Sequence, residues 1–188
     1  MGCGRETVTI FSPQAEPVLK AIEQDGICFS REAYVQKKYG ESAPIFLTAY
    51  RWYVKAAQSI VPRPDGAEFP YWGFTDPRFT DASAGGSLLT LKVPADEVVF
   101  FRPEDWNKIL CLSLIGENDA EEAAFRSELN ACGLHTTDVM LTSFYPDWKH
   151  RISDSWPRLF RFHQAFLSGE SDLPMQAGLW RIKKEWIQ

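Results

Sequence analysis

The amino-acid sequence predicts an α+β fold: a single domain, residues 1–188, with a mixed or antiparallel sheet and several flanking amphipathic helices. Three observations carry that expectation. Short β-prone runs are scattered between helices of unequal length, without the regular alternation that a parallel βαβ sheet requires. In "LLTLKVP" (88–94), Leu89, Leu91 and Val93 alternate with Leu88, Thr90 and Lys92, the pattern of a half-buried strand. In "IFLTAYRWYVKAAQSIV" (45–61), Phe46, Ala49, Tyr50, Tyr53, Ala57 and Ile60 recur at helical spacing, while Thr48, Arg51, Lys55 and Ser59 fall on the other side. A chain of 188 residues, 45% hydrophobic and 14% aromatic, has enough apolar surface for one real core and is short for two.

Each element follows from its residues. "VTIF" (8–11) is β-prone, and Ser12 with Pro13 is expected to stop the strand and cap a helix in "QAEPVLKAIEQDG". Val18, Leu19 and Ile22 lie at helical spacing there, and Gly26 suits the left-handed residue that ends such a helix. A short apolar run, "ICF", comes next, then polar text from 31 to 44 that reads as a loop or a short helix. After the 45–61 helix, "PRPDG" supplies turn chemistry.

"FPYWGFTDP" (69–77) packs four aromatic rings and two prolines into nine positions. Strand alternation would send Phe69, Tyr71 and Gly73 to one face and Pro70, Trp72 and Phe74 to the other. Gly73 leaves a space beside Tyr71 where a ligand or another backbone can approach. A loop, "TDPRFTDASAGGS", leads to the 88–94 strand, Pro94–Glu97 turn the chain, and "VVFF" resumes as a strand. "RPEDWNKILCLSL" reads as a helix with Pro103 in its first turn and acids at its positive end.

"ENDAEEAAFRSELNACG" reads as a surface helix with Phe125, Leu129 and Cys132 on its inner side and Gly133 as terminator. Pro146 interrupts any long helix over 138–150. Trp156, Leu159, Phe160, His163, Phe166 and Leu167 then form a second amphipathic series. "QAGLWRI" (176–182) is the expected last strand, with Gln176, Gly178, Trp180 and Ile182 on one face and Ala177, Leu179 and Arg181 on the other.

Composition limits function. Net charge is −5 and the basic residues do not cluster, which disfavours binding to duplex nucleic acid. No apolar run reaches a membrane-spanning length and the N-terminus lacks a signal-peptide layout, so a cytoplasmic protein with no membrane partner is expected. "MGC" does not carry the Ser or Thr that a myristoylation pattern needs, because position 6 is Glu6. The four cysteines form no C-x-x-C pair and are expected to be buried free thiols.

No motif of high specificity for catalysis is present. The three histidines lie outside any nucleophile-elbow context, His163 sits on an apolar stripe, and His135, after a helix terminator, suits a loop or a capping position. No His pair offers metal-ligand spacing, so no metal is expected. "AGGS" (84–87) lacks the frame of a phosphate-binding loop and reads as a turn. There remain the aromatic and arginine positions Arg51, Trp52, Tyr71, Trp72, Arg78, Trp106, Trp156 and Trp180. One reading makes them core and rim aromatics; the other makes some of them a stacking site for a base or a nicotinamide.

Taken in order, "AYRWYVKAAQSIV", "FPYWGF", "LLTLKVPADEVVFFRPEDWNKIL", "SWPRLFRF" and "MQAGLWRIKKEWI" resemble the mainly bacterial domain-of-unknown-function family 3841 over nearly the whole chain. That resemblance implies no particular activity. A looser one is to ADP-ribosyltransferase-like folds, on which "VTIFSPQ", "FPYWGF" and "QAGLWRI" can be laid. It implies an NAD-type cofactor, with Gln176 opening the closing strand. Gly178 stands where some members carry a catalytic Glu, so either Glu97 or Glu104 replaces it or the fold binds a nucleotide without transferring anything. The combined expectation is a nucleotide or NAD-type site built from Tyr71, Trp72, Arg51 and Gln176, with ADP-ribosyl transfer left open because its catalytic set is incomplete. The alternative is a non-enzymatic interaction module whose exposed aromatics meet a protein partner or a second copy of the chain.

Overall fold

Eight amphipathic or short helices and seven strands occupy residues 5–81 and 86–188, the residues that the computed structural model describes. The "MGC" start and part of "AGGS", with Cys3, lie outside them. Strand β1 (Thr7–Gln14) leads into helix α1 (Glu16–Asp25), which Gly26 ends in a left-handed conformation with φ 73°. Ser12 and Pro13 do not stop the strand as expected. Both lie inside it, with Pro13 opposite Leu88 and Gln14 opposite Ser87 of strand β4 (Ser87–Pro94). The strand on the other side, β3 (Tyr71–Phe74), is in register with β1 at Phe11, which leaves β1 one unpaired side at Pro13 where a nitrogen without hydrogen is tolerated.

The remaining elements are β2 (Ile27–Phe29), α2 (Glu32–Tyr39), α3 (Ala43–Ala57), β5 (Val98–Phe101), α4 (Pro103–Leu110), α5 (Asp119–Ala131), α6 (Thr136–Leu141), α7 (Pro146–Ser155), α8 (His163–Leu167), β6 (Gln176–Leu179) and β7 (Arg181–Lys183). The second amphipathic series is not one helix: a 3-10 turn over Trp156–Phe160 precedes α8, because Pro157 has no N–H to continue α7. Five strands pair antiparallel in the order β4-β1-β3-β6-β5, and β2 with β7 forms a separate antiparallel ribbon. The fold class is therefore α+β, with the sheet antiparallel.

Two apolar clusters lie on the two faces of the sheet. One holds Val99, Phe101 and Trp180 against Leu47, Ala49, Tyr50 and Tyr53 of α3, Trp106 and Ile109 of α4, and residues of α5 to α7. The other joins Val8, Ile10, Leu89, Leu91, Val93, Phe100, Ala177 and Leu179 to Ile22 of α1, Phe166 of α8, Ile182 and Trp186. The closing segment was expected as one alternating strand. Instead it breaks at Trp180: Gln176–Leu179 pair in the large sheet and Arg181–Lys183 in the ribbon, so Ile182 packs on the face opposite to Trp180. Phe69 likewise escapes the alternation. It precedes β3, bridges to Ser30, and packs with Tyr50 rather than with Tyr71.

Between α4 and α5 the chain runs through a buried connection whose polar backbone is satisfied by side chains. Ser113 O accepts from Trp156 Nε1 at 2.8 Å, Ile115 N donates to Ser155 Oγ at 3.0 Å, and Ile115 O accepts from Arg158 at 2.7 Å. Gly116 N donates to Glu122 at 2.9 Å. Beneath it, Asp105 is held by Arg161 at 3.1 Å and by Lys108 at 3.3 Å, and Lys108 also reaches Glu122 at 2.6 Å. These groups answer one another and make a clamp rather than a site.

The thiols depart from expectation. Cys28 is half-buried, whereas Cys111 and Cys132 are exposed, because each follows the last turn of its helix, where the side chain faces solvent. His163 is buried as expected, and its Nδ1 accepts from Phe100 N of the edge strand at 3.1 Å. Burial disfavours the charged ring and so lowers its pKa, which keeps His163 in the neutral form that can accept. Stability on this account is full above pH 6.5 and falls as pH drops below it, since the unfolded chain protonates first. Glu122 adds to the loss at lower pH. Burial raises its pKa, but the Lys108 and Gly116 hydrogen bonds outweigh that and bring it below 4.5. Chemical denaturation between pH 7.5 and 5 should show declining stability, and His163→Gln should flatten that slope.

Candidate functional site

The helical layer covers only half of its sheet face. Residues in register across the five strands form one row on that face: Thr90 of β4, Phe11 of β1, Phe74 of β3, Gln176 of β6 and Phe101 of β5. Phe101 is fully buried under α3 and α4, and Gln176 is 6% exposed; Phe74, Phe11 and Thr90 are half-buried. Beyond them Thr9 and Lys92, in register with each other, are exposed. Leu88 is 43% exposed. Phe79, from the 3-10 turn Pro77–Phe79, stacks on Phe74 with ring centroids 6.5 Å apart and remains 44% exposed. Gln176 thus marks the border between the roofed and the open half of the sheet.

Its carboxamide has no hydrogen-bond partner among the described residues. The sole fully enclosed side-chain polar atom without a partner there is Tyr53 Oη, so the Gln176 amide keeps an opening to the surface. A polar group placed in this way, largely desolvated and still accessible, is a point of attachment for a hydrogen-bonding ligand. The rings of Phe74 and Phe11 lie beside it along the row and offer planar contact.

The four residues expected to form a site are not brought together. Tyr71 faces the opposite cluster, buried, with its hydroxyl 2.9 Å from Cys28 Sγ, and burial followed by the Cys28 contact raises its pKa. Arg51 lies on the solvent side of α3, paired with Glu32 at 2.6 Å. Trp72 belongs to the roofed half: its Nε1 donates to Tyr50 Oη at 2.9 Å, and its ring meets Tyr53, Trp106 and Phe101 edge-on or tilted. Gln176 alone of the four reaches the open half. Trp52, Trp106, Trp156 and Trp180 are likewise wall or core residues, and Arg78 is chelated by Asp76 at 2.6 Å.

The space beside Gly73 is taken by protein. A Cβ there would run into Ile10 Cγ2 and lie 3.2 Å from Phe11 O, so the residue lets β1 approach β3. Gly178 is filled from the other side: a Cβ would lie 2.8 Å from Tyr53 Cζ, with the Tyr53 hydroxyl closer still. A longer side chain at that position has no room, and the proposed substitutes are engaged elsewhere, Glu97 with Arg181 at 2.6 Å and Glu104 with Arg102 at 3.2 Å. Sequence reasoning missed Phe11, Phe74 and Phe79. The alternation of "VTIF" and "FPYWGF" carried the signal for the first two, but the register that puts Phe11 opposite Phe74 did not follow from it.

Elsewhere, a groove of ≈ 240 Å³ between α5 and α7 is lined by Phe125, Glu121, Glu128, Arg151 and Arg158. Its arginines already pair with its glutamates, Arg151 with Glu128 at 2.8 Å and Arg158 with Glu121 at 3.4 Å. Among the described residues no group of three or more His, Cys, Asp or Glu could hold a metal ion, and no helix is long and apolar enough to cross a membrane.

Fold and site together define an α+β protein with an antiparallel sheet roofed on half of one face. The chain matches the family described as Domain of unknown function (DUF3841) over residues 9–188, and it belongs to that family. No curated protein and no solved structure matches it. Nothing in these comparisons supports the likeness to ADP-ribosyltransferase folds.

Proposed function

We propose that this protein binds a planar, hydrogen-bonding ligand of the nucleotide or NAD type on the open half of its sheet, with Gln176 as polar anchor and Phe74, Phe11 and Phe79 as stacking surfaces. The observation that supports it is the partnerless, accessible carboxamide of Gln176 beside half-exposed rings. An amide presents one donor and one acceptor side by side, which matches the edge of a nucleobase or of nicotinamide. Ring stacking adds about 1–3 kcal/mol per base in comparable sites. Binding without transfer is the form proposed, since the slot facing Tyr53 holds no carboxylate.

A thermal-shift screen against NAD, ADP-ribose and adenine nucleotides tests this, because a ligand bound only to the native state raises Tm by mass action. A shift is expected at millimolar ligand, and none with Gln176→Leu. That variant should itself be about 1 kcal/mol more stable than the parent, since it removes a polar group that lacks a protein partner. Absence of any shift in the wild-type protein would sink the reading.

A further inference from the structure

The open half-face has a second end, at the edge strand. Thr9 and Lys92 are in register there, and Thr90 is two positions before Lys92 on the same face. No hydrogen bond or ion pair of these three side chains is recorded among the described residues, and Thr9 and Lys92 are exposed. Two hydroxyls and an ammonium with nothing to bind make a cradle for an oxyanion. Another cation beside Phe79, Arg78, already pairs with Asp76 through its Nε and Nη2.

The spacing relates this cradle to Gln176. Three strand steps separate Gln176 from Thr90 along the row, about 14 Å between backbones at the usual inter-strand distance. Phe74 and Phe11 occupy the two strands between. Side chains of the length of glutamine and lysine, extended toward each other from the two ends, would bring that span to the length of a mononucleotide, whose base would lie over the rings.

We propose that the ligand is a phosphate ester of mononucleotide size lying across the strands, its base edge on Gln176 and its phosphate on Lys92, Thr9 and Thr90. This rests on the reading of the open half-face given above and adds a direction and a chemical requirement to it.

Calorimetric titration of the full chain with adenosine and with AMP separates the two. AMP should bind the wild-type protein about tenfold more tightly than adenosine, the increment of a hydrogen-bonded charge. Lys92→Ala should remove that preference and leave adenosine affinity unchanged; Lys92 is exposed, so the fold is unaffected. Equal affinity of the two ligands for the wild type, or a Lys92→Ala variant that keeps the preference, overturns the placement of the phosphate while the base site stands. Binding of neither ligand overturns both.

Discussion

Gly178→Ala is expected to destabilise the protein by about 3 kcal/mol, at the upper end of what one added methyl costs in a filled core. The methyl would meet the Tyr53 hydroxyl and lie 2.8 Å from Tyr53 Cζ. Tyr53 is 1% exposed and ringed by Trp72, Phe101, Trp106, Phe160 and Trp180, so it cannot swing aside. Its hydroxyl has no partner, and burial raises its pKa further above the ordinary phenol range. Tyr53→Phe alone should therefore be neutral or slightly stabilising. In the Gly178→Ala background it should recover more than 1 kcal/mol, a coupling that urea denaturation of the four proteins measures as a double-mutant cycle.

Trp156→Ala is expected to cost roughly 3–5 kcal/mol, the range for deleting a large buried aromatic. Trp156 is 1% exposed, packs edge-on against Trp52 at 5.3 Å, and donates to Ser113 O in the buried connection between α4 and α5. Truncation opens a cavity and also leaves a carbonyl without its donor. Trp156→Phe separates the two effects: it keeps most of the ring volume and loses the hydrogen bond, so about 1–2 kcal/mol should remain. Equal losses for Ala and Phe would mean that the bond, and not the packing, carries this position.

Much of this architecture can be read from residue spacing, because burial on one side imposes a period. The α3 stripe is an example: Ala49, Tyr50, Tyr53 and Ala57 are buried as the helical spacing requires. Strand β4 also keeps its alternation, with Leu91 and Val93 inside and Leu88 outside. Leu47 and Ala43 join the buried side of α3 because helices pack on both flanks, a fact that spacing within α3 does not contain.

Where the chain changes partners, periodicity fails. "QAGLWRI" alternates well on paper, yet Trp180 turns the chain from one sheet to the other, and the residues after it reverse their faces. The four expected site residues come apart for a different reason, since alternation itself divides two of them. Tyr71 and Trp72 are neighbours in sequence and lie on opposite faces, Arg51 points away from both, and the residues that surround Gln176 come from β1 and β3 through a register that is a tertiary fact. Glycine gave a signal of close approach at positions 73 and 178 without saying what approaches. At Gly73 it is Ile10 of the neighbouring strand, and at Gly178 it is Tyr53 of the roof.

The most direct measurement of the central claim is an amide chemical-shift titration of the isotopically labelled protein with AMP. Perturbations should concentrate on Phe11, Phe74, Thr90, Lys92 and Gln176, saturate together, and vanish in Gln176→Leu. Perturbations centred instead on the groove between α5 and α7, or none at saturating AMP, would contradict a ligand site on the open half of the sheet.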